Sequence, residues 1–272
     1  MTDHDHDQGL AHDLSVLSDF AARRRALLRW GLFVSASPLL GCGRKQVGDG
    51  ASNTPTAGDS TGPSACSKIP EETAGPFPGD GTNGPSALAL PDIVRSDIRP
   101  SLAGATGVAD GVLLIVTLTI VDGANGCAPL PGQAVYLWHC DRDGNYSMYS
   151  AAAANENYLR GVQETDANGQ VTFTTIFPGC YPGRWPHMHF EIYPSLAAAS
   201  SGKNAIATSQ LALSETSCVQ AYAAEGYASS VTNLTQVTLA TDGVFSDGAD
   251  LETATSSGDA DSGFVATLNV TV

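Results

Sequence analysis

From His187 the chain alternates strictly, with Met188, Phe190 and Ile192 set between His187, His189 and their neighbours of the same parity. In an extended strand successive side chains point to opposite faces, so the apolar set enters a core while the two histidines share the other face, about 7 Å apart. The stretch FPGCYPGRWPHMHFEIYP (177–194) also places Tyr181 and Arg184 six and three residues before His187. Two imidazoles on one face of a rigid strand can begin a metal site, although H-x-H alone serves equally well as two partly exposed strand histidines. Of six histidines, His4, His6 and His12 lie in the N-terminal tail, leaving His139, His187 and His189. Further donors must therefore be of another type. Tyr181, across a Pro/Gly turn, and Tyr146, just past the Asp143-Gly144 turn, are the nearest.

The period of two recurs. Val112 to Val121 (VLLIVTLTIV) is apolar and β-branched, and Gln133 to Cys140 sets Ala134, Tyr136 and Trp138 against Val135 and Leu137. Asp166-Ala167-Asn168-Gly169 reads as a hairpin turn into Gln170–Phe177. Further strands are expected at His187–Tyr193, Ile206–Leu213, Gln236–Ala240 and Phe264–Val272, with helical period only at Cys218–Ala224. Short strands and frequent turns imply an all-β fold, a β-sandwich of mostly antiparallel strands with long loops around a metal site.

Residues 1–42 read as an export signal: Arg23-Arg24-Arg25-Ala26-Leu27-Leu28-Arg29 is close to the twin-arginine pattern. The apolar run Trp30–Leu40 is too short to span a bilayer and ends in Leu39-Leu40-Gly41-Cys42, which resembles a lipoprotein cleavage box. The expectation is a cell-envelope protein that meets the membrane only through a lipid at Cys42. Residues 43–65 form a Gly/Ser/Thr/Pro linker, and the folded domain takes 66–272. Cysteines 66, 127, 140, 180 and 218 remain, an odd number; a bond between Cys180 and Cys218 would pin the C-terminal region beside the Tyr181 turn. A formal net charge of −15, with six of thirteen basic residues at or before Lys45, argues against nucleic acid as a partner. The G-x-S-x-G at Gly58-Asp59-Ser60-Thr61-Gly62 lies in the Gly/Ser/Thr/Pro linker rather than between a strand and a helix, and His139 has no evident nucleophile beside it, which argues against a hydrolase. No nicotinamide or flavin motif is present.

PEETAGPF (70–77), RSDIRP (95–100), CAPLPGQAVYLWHCDRDGNY (127–146), YLRGVQETDANGQVTFTTIFPGCYPGRWPHMHF (158–190) and ATSQ (207–210) stand in an order that resembles the intradiol ring-cleavage dioxygenases, most closely their secreted, single-chain branch. The likeness covers most of 66–210 and is loose beyond about 215. It implies a β-sandwich and one non-haem Fe(III) per chain, held by Tyr146, Tyr181, His187 and His189. Phenolate donors suit this choice, because anionic oxygen stabilises a hard, highly charged ion. Tyr149 is the rival to Tyr146, and the D-G-x-Y spacing favours Tyr146.

By the same resemblance Arg184 stabilises negative charge developing on the substrate ring, Tyr181 serves as a base, and Gln210 stands behind the ligands. Gln210 also reads simply as a polar residue on a half-exposed strand. Trp185 departs from the small residue common at its place. The implied reaction inserts both atoms of O2 into a catechol-type ring to give a muconate-type diacid. Two rivals use the same sandwich: a non-catalytic envelope binding module, and a Cu or Zn protein of the envelope. The identity of the catechol and the oligomeric state stay open.

Overall fold

Ten residues of alternating burial form β1 (Leu113–Asp122), whose Leu114, Val116, Leu118 and Ile120 are fully buried. In the computed structural model residues 66–272 are described; the expected signal with Cys42 (1–42) and the linker (43–65) lie outside the described residues. Around β1 a five-stranded sheet assembles. On one side β5 (Gln170–Ile176) and the short β2 (Ala128–Pro129) pair antiparallel to it. On the other side β9 (Gly263–Thr271) runs parallel to it and is followed by β8 (Thr255–Asp259). The second sheet is wholly antiparallel, in the order β4 (Arg160–Glu164), β3 (Ala134–Trp138), β6 (His187–Tyr193), β7 (Ala207–Ala212).

The sheets face each other as a sandwich. Val135 and Leu137 of β3 and Met188, Phe190 and Ile192 of β6 share one core with Val116, Phe173 and Phe264 of the opposite sheet. Burying each such side chain contributes about 1.5–3 kcal/mol relative to exposure. Alternation then sends Ala134, Tyr136 and Trp138 to the outer face, where they join a second cluster with Ala87, Ile93 and Tyr146. That outer face, roofed by the chain before β1 and by the loop after β3, carries the two β6 histidines. Arg160 of β4 fastens the roof while itself 0% exposed. It donates to the carbonyls of Phe77 (3.0 Å), Pro78 (2.7 Å) and Ser147 (2.9 Å).

Several details differ from the sequence expectations. The Asp166–Gly169 turn forms, with Asp166 Oδ1 accepting from the amides of Asn168 and Gln170. It is not a hairpin: β4 pairs with β3 and β5 with β1, so the turn carries the chain from one sheet to the other. Gln236–Ala240 is not a strand but a turn region, where Gln236 N–H donates to Asn233 O and Thr241 and Asp242 N–H donate to Thr238 O. Two alternating apolar residues, Val237 and Leu239, give too short a pattern to outweigh these local bonds. Helix α1 (Glu215–Ala221) starts three residues earlier than the period suggested, because Ser214 caps it by accepting from Ser217 N–H. A second helix, α2 (Ala228–Leu234), buries only Ser230 and therefore shows no apolar stripe. Cys66 and Cys127 are bonded to each other, whereas Cys140, Cys180 and Cys218 are free, buried thiols. The expected Cys180–Cys218 bond is absent, and α2 does the pinning instead: Ser230 Oγ accepts from Cys180 N–H (2.9 Å) and Asn233 donates to Cys180 O (2.7 Å).

Candidate metal centre

One strand and two turns converge on the outer face of the four-stranded sheet. β6 brings the Nε2 atoms of His187 and His189 to 3.2 Å from each other. After β3, Asp141 Oδ1 accepts from the amides of Asp143 (3.0 Å) and Asn145 (2.8 Å), and this tight loop aims Tyr146 inward. Gly144 in the loop has φ +88°, and a Cβ there would stand 3.0 Å from that of Tyr181, so glycine lets the two tyrosine-bearing turns touch. The Tyr146 hydroxyl lies 3.2 Å from His189 Nε2, 3.5 Å from His187 Nε2 and 3.5 Å from the Tyr181 hydroxyl. The Tyr181 hydroxyl is 3.2 Å from His187 Nε2. Tyr149 goes elsewhere: its hydroxyl accepts from Gly79 N–H and donates to Asn83 Oδ1.

Strand register sets the flanks. His189 stands opposite Trp138 on one neighbouring strand and Gln210 on the other. Trp138 stacks on the His189 ring at 5.1 Å with 7° between planes. His187 Nδ1 donates to the Trp185 carbonyl (2.6 Å), which fixes the tautomer and leaves Nε2 with its lone pair facing the cluster. Gly75 passes so close to His189 that a Cβ would come within 3.2 Å of its Cε1.

Burial holds both imidazoles neutral. The pKa of His187 falls well below its usual range through burial and then the Arg184 charge; that of His189 falls through burial and then His187. Burial likewise pushes Tyr146 well above its usual value and Tyr181 up to about 12, the Arg184 charge opposing it at Tyr181. While neutral, the two hydroxyls can donate to the two Nε2 atoms, Tyr146 to His189 and Tyr181 to His187 (3.2 Å each); without those two protons the same four atoms converge as electron-pair donors on one point. Separations of 3.2–3.5 Å match what pairs of ligand bonds of about 2.1 Å subtend. The donor set therefore fits a metal ion. No group of three or more His, Cys, Asp or Glu gathers among the described residues, and the two oxygens beside the histidines are those of Tyr146 and Tyr181.

Arg184 closes the site from the side of β7. Its Nη1 faces His187 Nε2 at 3.3 Å, its Nη2 donates to Gln210 Oε1 (2.6 Å), and its Nε donates to Asp242 (2.9 Å). Gln210 in turn donates to the Thr73 carbonyl (2.8 Å). The Trp185 ring points away into the core, its Nε1 donating to Leu213 O. The structure thus brings Tyr146, Tyr181, Arg184, His187, His189 and Gln210 together. Sequence reasoning missed Asp242, Arg160 and Trp138. Trp138 was readable from the strand alternation once β3 is set beside β6; Asp242 stands in a turn that carries no motif.

Residues 94–199 match the family described as Dioxygenase. A chlorocatechol 1,2-dioxygenase of Rhodococcus opacus is 36% identical over 53 residues, which cover 20% of this chain and 21% of that protein, about a fifth of its length. An intradiol ring-cleavage dioxygenase from Tetranychus urticae superposes with a TM-score of 0.56 at 29% identity, over 76% of this chain and 94% of the other. A further dioxygenase crystal structure gives 0.58 at 28% identity over the same shares.

Proposed function

We infer that this chain belongs to the intradiol ring-cleavage dioxygenases, and propose from that premise that it cleaves a catechol-type ring with O2 between the two hydroxyl-bearing carbons, giving a muconate-type diacid. The observation that carries the reading is the convergence of two tyrosine hydroxyls and two histidine Nε2 atoms beside a buried arginine. Tyr146, Tyr181, His187 and His189 would hold one non-haem Fe(III). Such an ion would supply the positive charge that makes phenolate the stable form of tyrosine, and the electron withdrawal that a catechol ring needs to react with O2.

The protein's own groups then divide the work. Tyr146 is 3% exposed and sealed by Phe77 at 5.2 Å, so it is a fixed donor. Tyr181 is only half-buried and is followed by the exposed Pro182 and Gly183, so of the two tyrosines it would be the better placed to accept a catechol proton at its oxygen. Arg184 keeps its charge although buried, because Tyr181 and Asp242 together more than offset the burial. Its Nη1 is aimed at the donor cluster, where it stabilises negative charge on the ring. Gly75, Pro76 and Phe77 exclude water from the side of the roof.

Charge placement narrows the substrate. Arg95 is held by backbone carbonyls, Arg99 by Asp97, Arg142 by Asp110 and Arg160 by the roof. Lys68 and Lys203 are exposed on other segments. Among the described residues a ring carboxylate would meet only Arg184, already paired with Asp242, so uncarboxylated catechols are the expected substrates.

Purified protein should carry about one iron per chain with a tyrosinate-to-iron absorption that shifts when catechol is added without oxygen. On admitting oxygen, catechol should be consumed with a muconate product, at a kcat/KM at least tenfold above that for protocatechuate. A protein that binds catechol but takes up no iron and no oxygen would replace this reading with the binding module. Copper or zinc in place of iron would favour the envelope metal protein.

A further inference from the structure

We propose that Asp242 is a positioning residue for Arg184, so that the connection between β7 and β8 forms part of the site; this rests on the ring-cleavage reading. Asp242 is 0% exposed and lies beyond residues 94–199, the part that matches the family. Its Oδ2 accepts from Arg184 Nε (2.9 Å) and Trp185 N–H (2.6 Å); its Oδ1 accepts from the amides of Val244 (2.8 Å) and Phe245 (3.1 Å). All four partners are donors. A carboxylate answers them with two accepting oxygens, whereas an asparagine must turn its NH2 against one pair of N–H groups whichever way it flips.

The consequence falls on the guanidinium. Asp242 grips Arg184 at Nε and Gln210 grips it at Nη2, so rotation of the plane is blocked and Nη1 alone is left to face His187 Nε2. Phe245, held by the same carboxylate, lies 5.9 Å under the guanidinium and 6.4 Å from the His187 ring. The same connection also grips the other end of this turn, where Ser230 and Asn233 of α2 bind the backbone of Cys180. The segment from Cys180 to Trp185, with Tyr181 and Arg184 on it, is thereby clamped at both ends by chain from between β7 and β8. A guanidinium that drifts by an ångström delivers much less of its charge to the ring in the transition state.

The test is a mutant cycle of D242N, R184Q and the double variant, read in both iron-loaded and iron-free protein. D242N should retain iron and its tyrosinate absorption, bind catechol without oxygen within threefold of wild type, and lose about 100-fold in kcat. R184Q/D242N should be no worse than R184Q alone, since Asp242 acts through Arg184. In iron-free protein the 15N resonance of Arg184 Nε–H should exchange slowly in wild type and rapidly in D242N. Wild-type kcat in D242N, or additive losses in the double variant, overturns the proposal. So does a wild-type Nε–H that exchanges as fast as an exposed arginine, a result readable even if no Asp242 variant folds. A wild-type protein without iron or ring cleavage would overturn the ring-cleavage reading, and the resonance would still judge the clamp separately.

Discussion

Tyr146 and Tyr149 show how much one residue's placement depends on its loop. Both follow the Asp143-Gly144 turn, and the D-G-x-Y spacing favours Tyr146. Tyr146 reaches His189, while Tyr149 is tied to Gly79 and Asn83. Tyr146→Phe should therefore abolish the tyrosinate absorption and iron retention, whereas Tyr149→Phe should leave the iron in place; metal analysis of the two proteins separates them. Tyr181→Phe and His189→Ala should each lower turnover by more than about 100-fold, measured as oxygen uptake with catechol. Near-wild-type rates in either would sink the site assignment. That His187 and His189 share a face was legible because strand alternation is local; the two tyrosines entered through the resemblance. Asp242 was not legible, because its partner Arg184 lies 58 residues away and nothing in its own neighbourhood announces a buried ion pair.

At the scale of elements, the alternation of β3 and β6 gave both faces of the inner sheet correctly, since one misplaced residue would have turned Phe190 and His189 inside out. The 166–169 turn misled for a related reason: its local hydrogen bonds are those of a hairpin, but pairing partners are chosen by the whole sandwich. The loops that carry the tyrosines respond to small changes. Gly144→Ala places a side chain at φ +88° and against Tyr181, so about 1–3 kcal/mol of stability should be lost. Iron affinity should weaken with it, which chelator competition would measure. Arg160→Met would remove donors from the carbonyls of Phe77, Pro78 and Ser147 beneath the roof, a loss of about 3 kcal/mol visible in the urea midpoint.

For the whole molecule, His139 supplies a pH dependence apart from the metal ligands. It is buried, Nδ1 donating to Cys140 O and Nε2 accepting from the Thr175 hydroxyl, and burial lowers its pKa to about 4. Between about pH 6.5 and 4 the unfolded chain binds this proton and the folded chain does not. The stability it supports is thus complete above pH 6.5 and falls by about 3 kcal/mol as pH drops to 4. Urea unfolding of iron-free protein at pH 7 and 4.5 would show this as a lower midpoint at the acid value, and a His139→Gln variant should shrink the difference to the part left by His187 and His189, whose pKa values burial also lowers.

The parallel pairing of β1 with β9 carries a kinetic consequence. The four strands beneath the tyrosines and histidines span only residues 134–212 and are joined by antiparallel neighbours alone. β1 instead has a partner from residues 263–271, far along the chain, on one of its edges. Closing so long a loop is slow. The half of the sandwich that bears the histidines can therefore take shape early, while the opposite half remains open along one edge of β1 until β9 slides in and locks it.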